Sequence, residues 1–158
     1  KLSQEKQVNN LYLISPYLFA THKPVRIFTL ESYLDFVSDW VTYTKKSQIA
    51  QLNDPIALKE HIAYWNMPLL PVKYSKYFLK SLRENIGKTS CPVLVQQSKN
   101  DKTSDMGSSY FVFENVNSSK KEIIVFEKSN HVLLEDFDKS QAINNIINFE
   151  KEIRENGE

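Results

Sequence analysis

Three short apolar runs, set apart by segments of a different period, constrain this chain most. Leu11 to Ala20 (LYLISPYLFA) is rich in aromatics and interrupted by Pro16. It predicts a buried strand ending near Ser15, then a loop through Thr21-His22-Lys23-Pro24. Pro92-Val93-Leu94-Val95-Gln96-Gln97 predicts a second strand, apolar and β-branched after its proline. Glu122-Ile123-Ile124-Val125-Phe126-Glu127 predicts a third.

Between the runs the spacing turns helical. Leu30, Tyr33, Leu34, Val37, Trp40, Val41 and Thr44 form one apolar stripe, with Thr29 or Ser32 as a candidate cap. Asp54-Pro55 reads as an N-cap followed by proline at the first helical position; the helix it opens would present Ile56, Ala57 and His61 or Ile62. Pro68 to Pro71 reads as a turn, and Val72 to Ile86 as a helix with Tyr74, Phe78, Leu82 and Ile86 on one side and Gly87 as its C-cap. After the second strand, Met106, Tyr110, Phe113 and Val116 mark a helix. A last helix begins at Asp138, where Asp138-x-x-Gln141 resembles a capping box, and carries Ala142, Ile143, Ile146, Ile147, Phe149 and Ile153.

Strand, helices, strand, helix, strand, helix is the order of an α/β protein with a parallel sheet of about three strands and crossover helices. With 158 residues the chain forms one domain, 1–158, large enough to bury a core. The helices between the first two strands exceed what one crossover needs. Residues 25–86 are therefore expected to form a helical insertion, such as a cap.

Composition excludes several functions. Twenty Lys+Arg against 19 Asp+Glu leaves a net charge of +1, and Lys45-Lys46 and Lys120-Lys121 are pairs rather than patches, so no nucleic-acid partner is expected. No apolar run approaches the roughly 20 residues of a membrane span. The single cysteine, Cys91, excludes an internal disulfide and a CxxC site, and a buried small hydrophobe is its better reading. His22 and His61 lack partners at metal spacing, so no metal or organic cofactor is expected. No signal peptide is visible, which points to a cytoplasmic location. Only three glycines occur, at 87, 107 and 157, so no GxGxxG, phosphate loop or GxSxG can be written. The chain opens at Lys1 rather than at methionine and reads as a piece of a longer protein, or a processed chain.

In open parallel sheets functional groups gather in loops at the carboxyl ends of strands. Asp101 follows the second strand and His131 the third. Side by side, a carboxylate there would hold the imidazole's tautomer and leave its other nitrogen as a general base. The competing reading of Asp101 is a loop carboxylate bonding its own turn. Asp105 and Asp136 are rival acids: Asp105 inside the following helix, Asp136 near the last helix start. Ser109 and Ser129 lie near the pair, but neither sits on a strand-to-helix elbow. Tyr33, Phe36, Trp40, Tyr43, Tyr64 and Trp65 would line an apolar pocket or pack an insertion onto the body.

CPVLVQQSKND (Cys91 to Asp101), KKEIIVFEKSNHVLLEDFDK (Lys120 to Lys139) and the closing helix resemble the C-terminal portion of an α/β-hydrolase, near the carboxylesterase and monoacylglycerol-lipase branch. The resemblance covers about the last 65 residues well. It implies that Asp101 is the triad acid and His131 the triad histidine, in the family's order of serine, acid, histidine. It departs at Ser98 and Asn130, which stand where glycine is usual; asparagine tolerates left-handed backbone angles. No nucleophile elbow or oxyanion-hole loop is present. The implied function is hydrolysis of a small-molecule carboxylic ester, with the serine in a missing N-terminal half. The alternative is a non-catalytic module that dimerises, or complements the missing segment, through the open edge of the first strand.

Overall fold

The computed structural model describes residues 8–19, 42–45, 51–62 and 66–156. Three strands form one parallel sheet in the order β1 (Leu11–Ile14), β4 (Val93–Ser98), β5 (Lys121–Phe126). Leu11 pairs with Val93, and Val93 with Lys121; at the other end Ile14 pairs with Gln96 and Ser98 with Phe126. The strands thus run out at one edge side by side. β4 is central, and all six of its residues are buried. Pro92 has no N–H to give the ladder, yet its carbonyl accepts from Leu11 N at 2.9 Å.

Val93 and Val95 point to one face, where Leu18, Val112 and Val116 close a core with Leu79, Leu82 and Ile86 packed against it. Phe126, Leu133 and Ala142 form a second core, with Ile14, Ile124 and Leu134 around it. Helix α3 (Met106–Asn115) packs on β4 and β5, and helix α4 (Lys139–Asn156) also contacts β4. Tyr12 on β1 donates to Glu150 on α4, and Asn10 does the same at 2.8 Å. Burial, the bond to Glu150 and that carboxylate's charge push the Tyr12 hydroxyl up to about 12.

Between β1 and β4 the chain forms a second sheet, β2 (Tyr43–Lys45) antiparallel to β3 (Asn66–Pro68), and two helices, α1 (Pro55–Glu60) and α2 (Leu69–Asn85). Asp54 caps α1 as expected, accepting from Ile56 N at 2.8 Å with Pro55 in the first turn. The stripe proposed for Leu30 to Thr44 lies outside the described residues except at its end, where Tyr43–Lys45 is a strand instead. An aromatic and a β-branched residue stand side by side there, a β preference that the helical count overrode. Ile56 and Ile62 are exposed, so α1 buries none of its residues.

Helix α2 begins at Leu69, not Val72. Pro71 sits in its first turn, where the missing N–H has no intrahelical partner to lose. Its core-facing side is Leu79 and Leu82, continued by Ile86 just past its end; Tyr74 and Phe78 are exposed. Gly87 lies in a short 3-10 turn, Ile86–Lys88, without positive φ, so it is no left-handed cap.

The buried face of α3 is Ser108, Ser109 and Val112, while Tyr110 is exposed. Apolar counting misses such a face because these hydroxyls are paired. Ser108 Oγ accepts from Phe19 N at 2.9 Å, and Ser109 Oγ donates to Gln97 Oε1. On α4 the buried residues are Ala142 and Phe149, with Ile143 and Ile147 exposed. Asp138 precedes α4, but its Oδ2 accepts from Lys128 N, Ser129 N and Ser129 Oγ. It joins the helix start to the loop after β5.

Candidate active site

The polar end of β4 builds the site. Gln96, Gln97 and Ser98 are fully buried at the end of an otherwise apolar strand, and each is hydrogen-bonded. The chain then turns, with Asp101 N donating to Ser98 O at 3.2 Å. Thr103 N and Ser104 N each donate to Asp101 Oδ1 at 2.8 Å. Oδ2 accepts from Gln97 Nε2 at 3.2 Å and faces His131 Nδ1 at 2.9 Å. The turn-bonding carboxylate and the histidine partner are therefore one group, one oxygen serving each.

His131 is held from several sides. Its N–H donates to Asn130 Oδ1 at 2.9 Å, and its carbonyl accepts from Ser15 Oγ at 2.8 Å. Asn130 Oδ1 also accepts from Lys102 N at 3.1 Å, tying the acid loop to the histidine loop. Ser15 ends β1. Among the described residues it is the one non-glycine with positive φ, 49°. That strained residue bonds the main chain of the histidine loop, where such strain tends to collect. Asn130 does not share it, so its replacement of glycine rests on its side-chain bonds rather than on left-handed angles.

The Asp101 side chain is fully buried, and that of His131 is 23% exposed. Burial pushes the Asp101 carboxyl up, but the bonds from His131, Ser104 and Thr103, with the imidazole's charge, outweigh it and hold it below the ordinary carboxylate range. An ionised Oδ2 requires the proton on Nδ1, which leaves the Nε2 lone pair as a base. A carboxyl depressed in the fold stabilises it above the unfolded value, about pH 4, and loses that contribution as pH falls through the folded value. Asp101→Asn is therefore expected to flatten the fall in urea stability as pH drops below about 4. Equal slopes in the two proteins would count against this account of the pair.

The rival acids have other partners. Asp105 is the N-cap of α3, accepting from Gly107 N at 2.7 Å. Asp136 is buried and accepts only from backbone amides among the bonds described. Ser109 and Ser129 are fully buried, the latter bonded to Asp138. His61 Nδ1 lies 2.8 Å from Glu135 Oε2. Cys91 is half-buried, and burial raises its thiol. His22 and most of the aromatic set lie outside the described residues; Tyr43, the exception, is exposed. Among the described residues, no group of three or more His, Cys, Asp or Glu is placed to hold a metal, and no helix is long and apolar enough to cross a membrane.

Sequence reasoning missed the supports Gln97, Ser15 and Asn130. A polar triplet closing an apolar strand was the available signal for the first.

A three-stranded parallel sheet flanked by helices is a fold shared with part of α/β-hydrolase structures. Solved structures agree. The chain is similar to a structure of the metagenome-derived lipolytic enzymes LipS and LipT, at 19% identity and a TM-score of 0.80, over 98% of this chain and 58% of that one. A Paleococcus ferrophilus monoacylglycerol lipase matches at 15% identity and TM-score 0.75, over 96% and 62%. A soluble variant of monoglyceride lipase from Saccharomyces cerevisiae matches at 12% and 0.68, over 92% and 55%. The chain thus spans a little over half the length of these proteins. No protein-family model and no curated protein matches it.

Proposed function

We propose that this chain supplies the acid and the base of a serine-type carboxylic ester hydrolase. The observation that carries the reading is the bond between His131 Nδ1 and the buried, ionised Asp101. In the proposed reaction His131 Nε2 takes the proton of a serine hydroxyl as its oxygen attacks the ester carbonyl. Asp101 stabilises the imidazolium that results, and the same proton then goes to the departing alcohol. The serine and the oxyanion donors come from polypeptide N-terminal to Lys1, because no GxSxG can be written here. The cap expected within residues 25–86 would include the described elements β2, α1, β3 and all of α2.

The test is turnover of p-nitrophenyl acetate and butyrate. The complete gene product is expected to hydrolyse both and to be inactivated by a serine-directed phosphonate. Residues 1–158 alone are expected to stay at background. Brisk, phosphonate-sensitive turnover by the short chain would place the nucleophile within it and overturn the proposal.

One observation favours a second reading. Among the described residues β1 pairs on one side only, with β4. An assembly module would use that edge for a second copy. Light scattering across a concentration series separates the two, since a persistent monomer removes the second reading.

A further inference from the structure

Four backbone amides converge on one carboxylate behind His131. Asp136 Oδ1 accepts from Asp54 N at 2.8 Å and from Phe137 N at 2.9 Å. Its Oδ2 accepts from Asn53 N at 2.8 Å and from Asn130 N at 2.7 Å. Two donors thus belong to the inserted segment before α1, and two to the loop that carries His131. Around this centre Val132 N donates to Gln51 O at 3.1 Å, Asn53 Nδ2 to Lys128 O at 2.8 Å, and Asn130 Nδ2 to Asn53 Oδ1 at 3.2 Å. Asn130 also carries the acid loop through Lys102 N.

We propose that Asp136 is a positioning residue that makes residues 51–54 of the insertion part of the support for His131. The inference rests on the esterase reading for its kinetic consequence, but not for its geometry. A carboxylate can satisfy four N–H donors because it has two oxygens and no proton to donate. Four charge-assisted bonds on a buried group fix the direction of every strand of chain they touch. His131 follows Asn130 directly, so the carboxylate sets where the imidazole meets Asp101. A shift of the insertion is then felt at the imidazole, five residues before Asp136 itself.

The decisive pair of variants is at Asp54. Its φ of −72° suits proline, and ψ of 115° suits the residue before Pro55. Asp54→Pro deletes the N–H given to Asp136 and the side-chain cap of α1 together. Asp54→Ala deletes only the cap. Asp136→Asn is a second probe, since it turns one acceptor oxygen into a donor facing two amides. All are made in the complete gene product, with circular dichroism and the urea midpoint as checks on folding.

Asp54→Pro and Asp136→Asn are expected to lower kcat on p-nitrophenyl butyrate by about 10- to 100-fold with KM little changed, as small misplacements of a reacting group do. Asp54→Ala is expected to stay within about threefold of the parent. In parallel, the His131 ring signal in NMR, assigned with His131→Gln, is expected to move in the first two variants and to stay put in Asp54→Ala. Unchanged ring signals in Asp54→Pro and Asp136→Asn would overturn the proposal. If the parent shows no ester turnover but the ring signal still moves as described, the esterase reading falls and the positioning role stands.

Discussion

His131→Ala in the complete gene product is expected to lower kcat on p-nitrophenyl butyrate by about 10⁴-fold, and Asp101→Asn to come close to it. The first removes the base. The second keeps the shape of the acid but puts an amide where Oδ2 faces Nδ1. Asparagine, with one acceptor oxygen, cannot satisfy Thr103 N, Ser104 N, Gln97 Nε2 and an Nδ1–H at once. Presenting its NH₂ to the ring selects the tautomer with the proton on Nε2, which is no base. KM is expected to change little in either variant, because neither group binds the ester in its ground state. Activity within about tenfold of the parent in both would remove the pair from the chemistry.

Leu133→Ala is expected to cost about 2–5 kcal/mol of stability, the usual range for truncating a buried leucine. Leu133 is 1% exposed and packs with Phe126 and Ala142, two residues after the imidazole. It is the apolar anchor of the loop, as Asp136 is the polar one. Urea titration reads the effect as a lower midpoint with the slope unchanged. A loss below about 1 kcal/mol would mean that the site collapses around the cavity and that Leu133 does not anchor the loop.

The three strands of the main sheet were legible in the sequence to within a residue at each end. β4 and β5 each sit one position from the expected bounds. Pro92 has no N–H to open the ladder, and Ser98 extends it because its backbone pairs with Phe126 whatever its side chain. The helices were legible as helices, but their faces were not. Hydropathy assigns Tyr110, Ile143 and Ile147 to the core and Ser108 and Ser109 to solvent; hydrogen bonding reverses the serines, and packing leaves the others outside. The β2–β3 pair went unseen because each strand is three residues long and its partner lies about 20 residues away.

For the candidate site, residue types and order along the chain named Asp101 and His131, and left Asp105 and Asp136 as rivals. Only partners in space separate them. Asp105 and Asp136 end on backbone amides, and Asp101 ends on the imidazole.

Local chemistry alone therefore determined where the three strands of the main sheet lie, that this sheet is parallel, and which loops deliver a carboxylate and an imidazole. Hydropathic period and backbone preference act over a few residues, and a sequence records them directly. The tertiary structure decided that the two loops meet at 2.9 Å, that Gln97 and Asn130 join them, and that Asp136 holds residues 53 and 54 of the insertion. Those contacts span 30 residues for the pair and 83 for the insertion. They follow from the register that sets Ser98 beside Phe126, a cooperative property of the packed sheet that no single segment encodes.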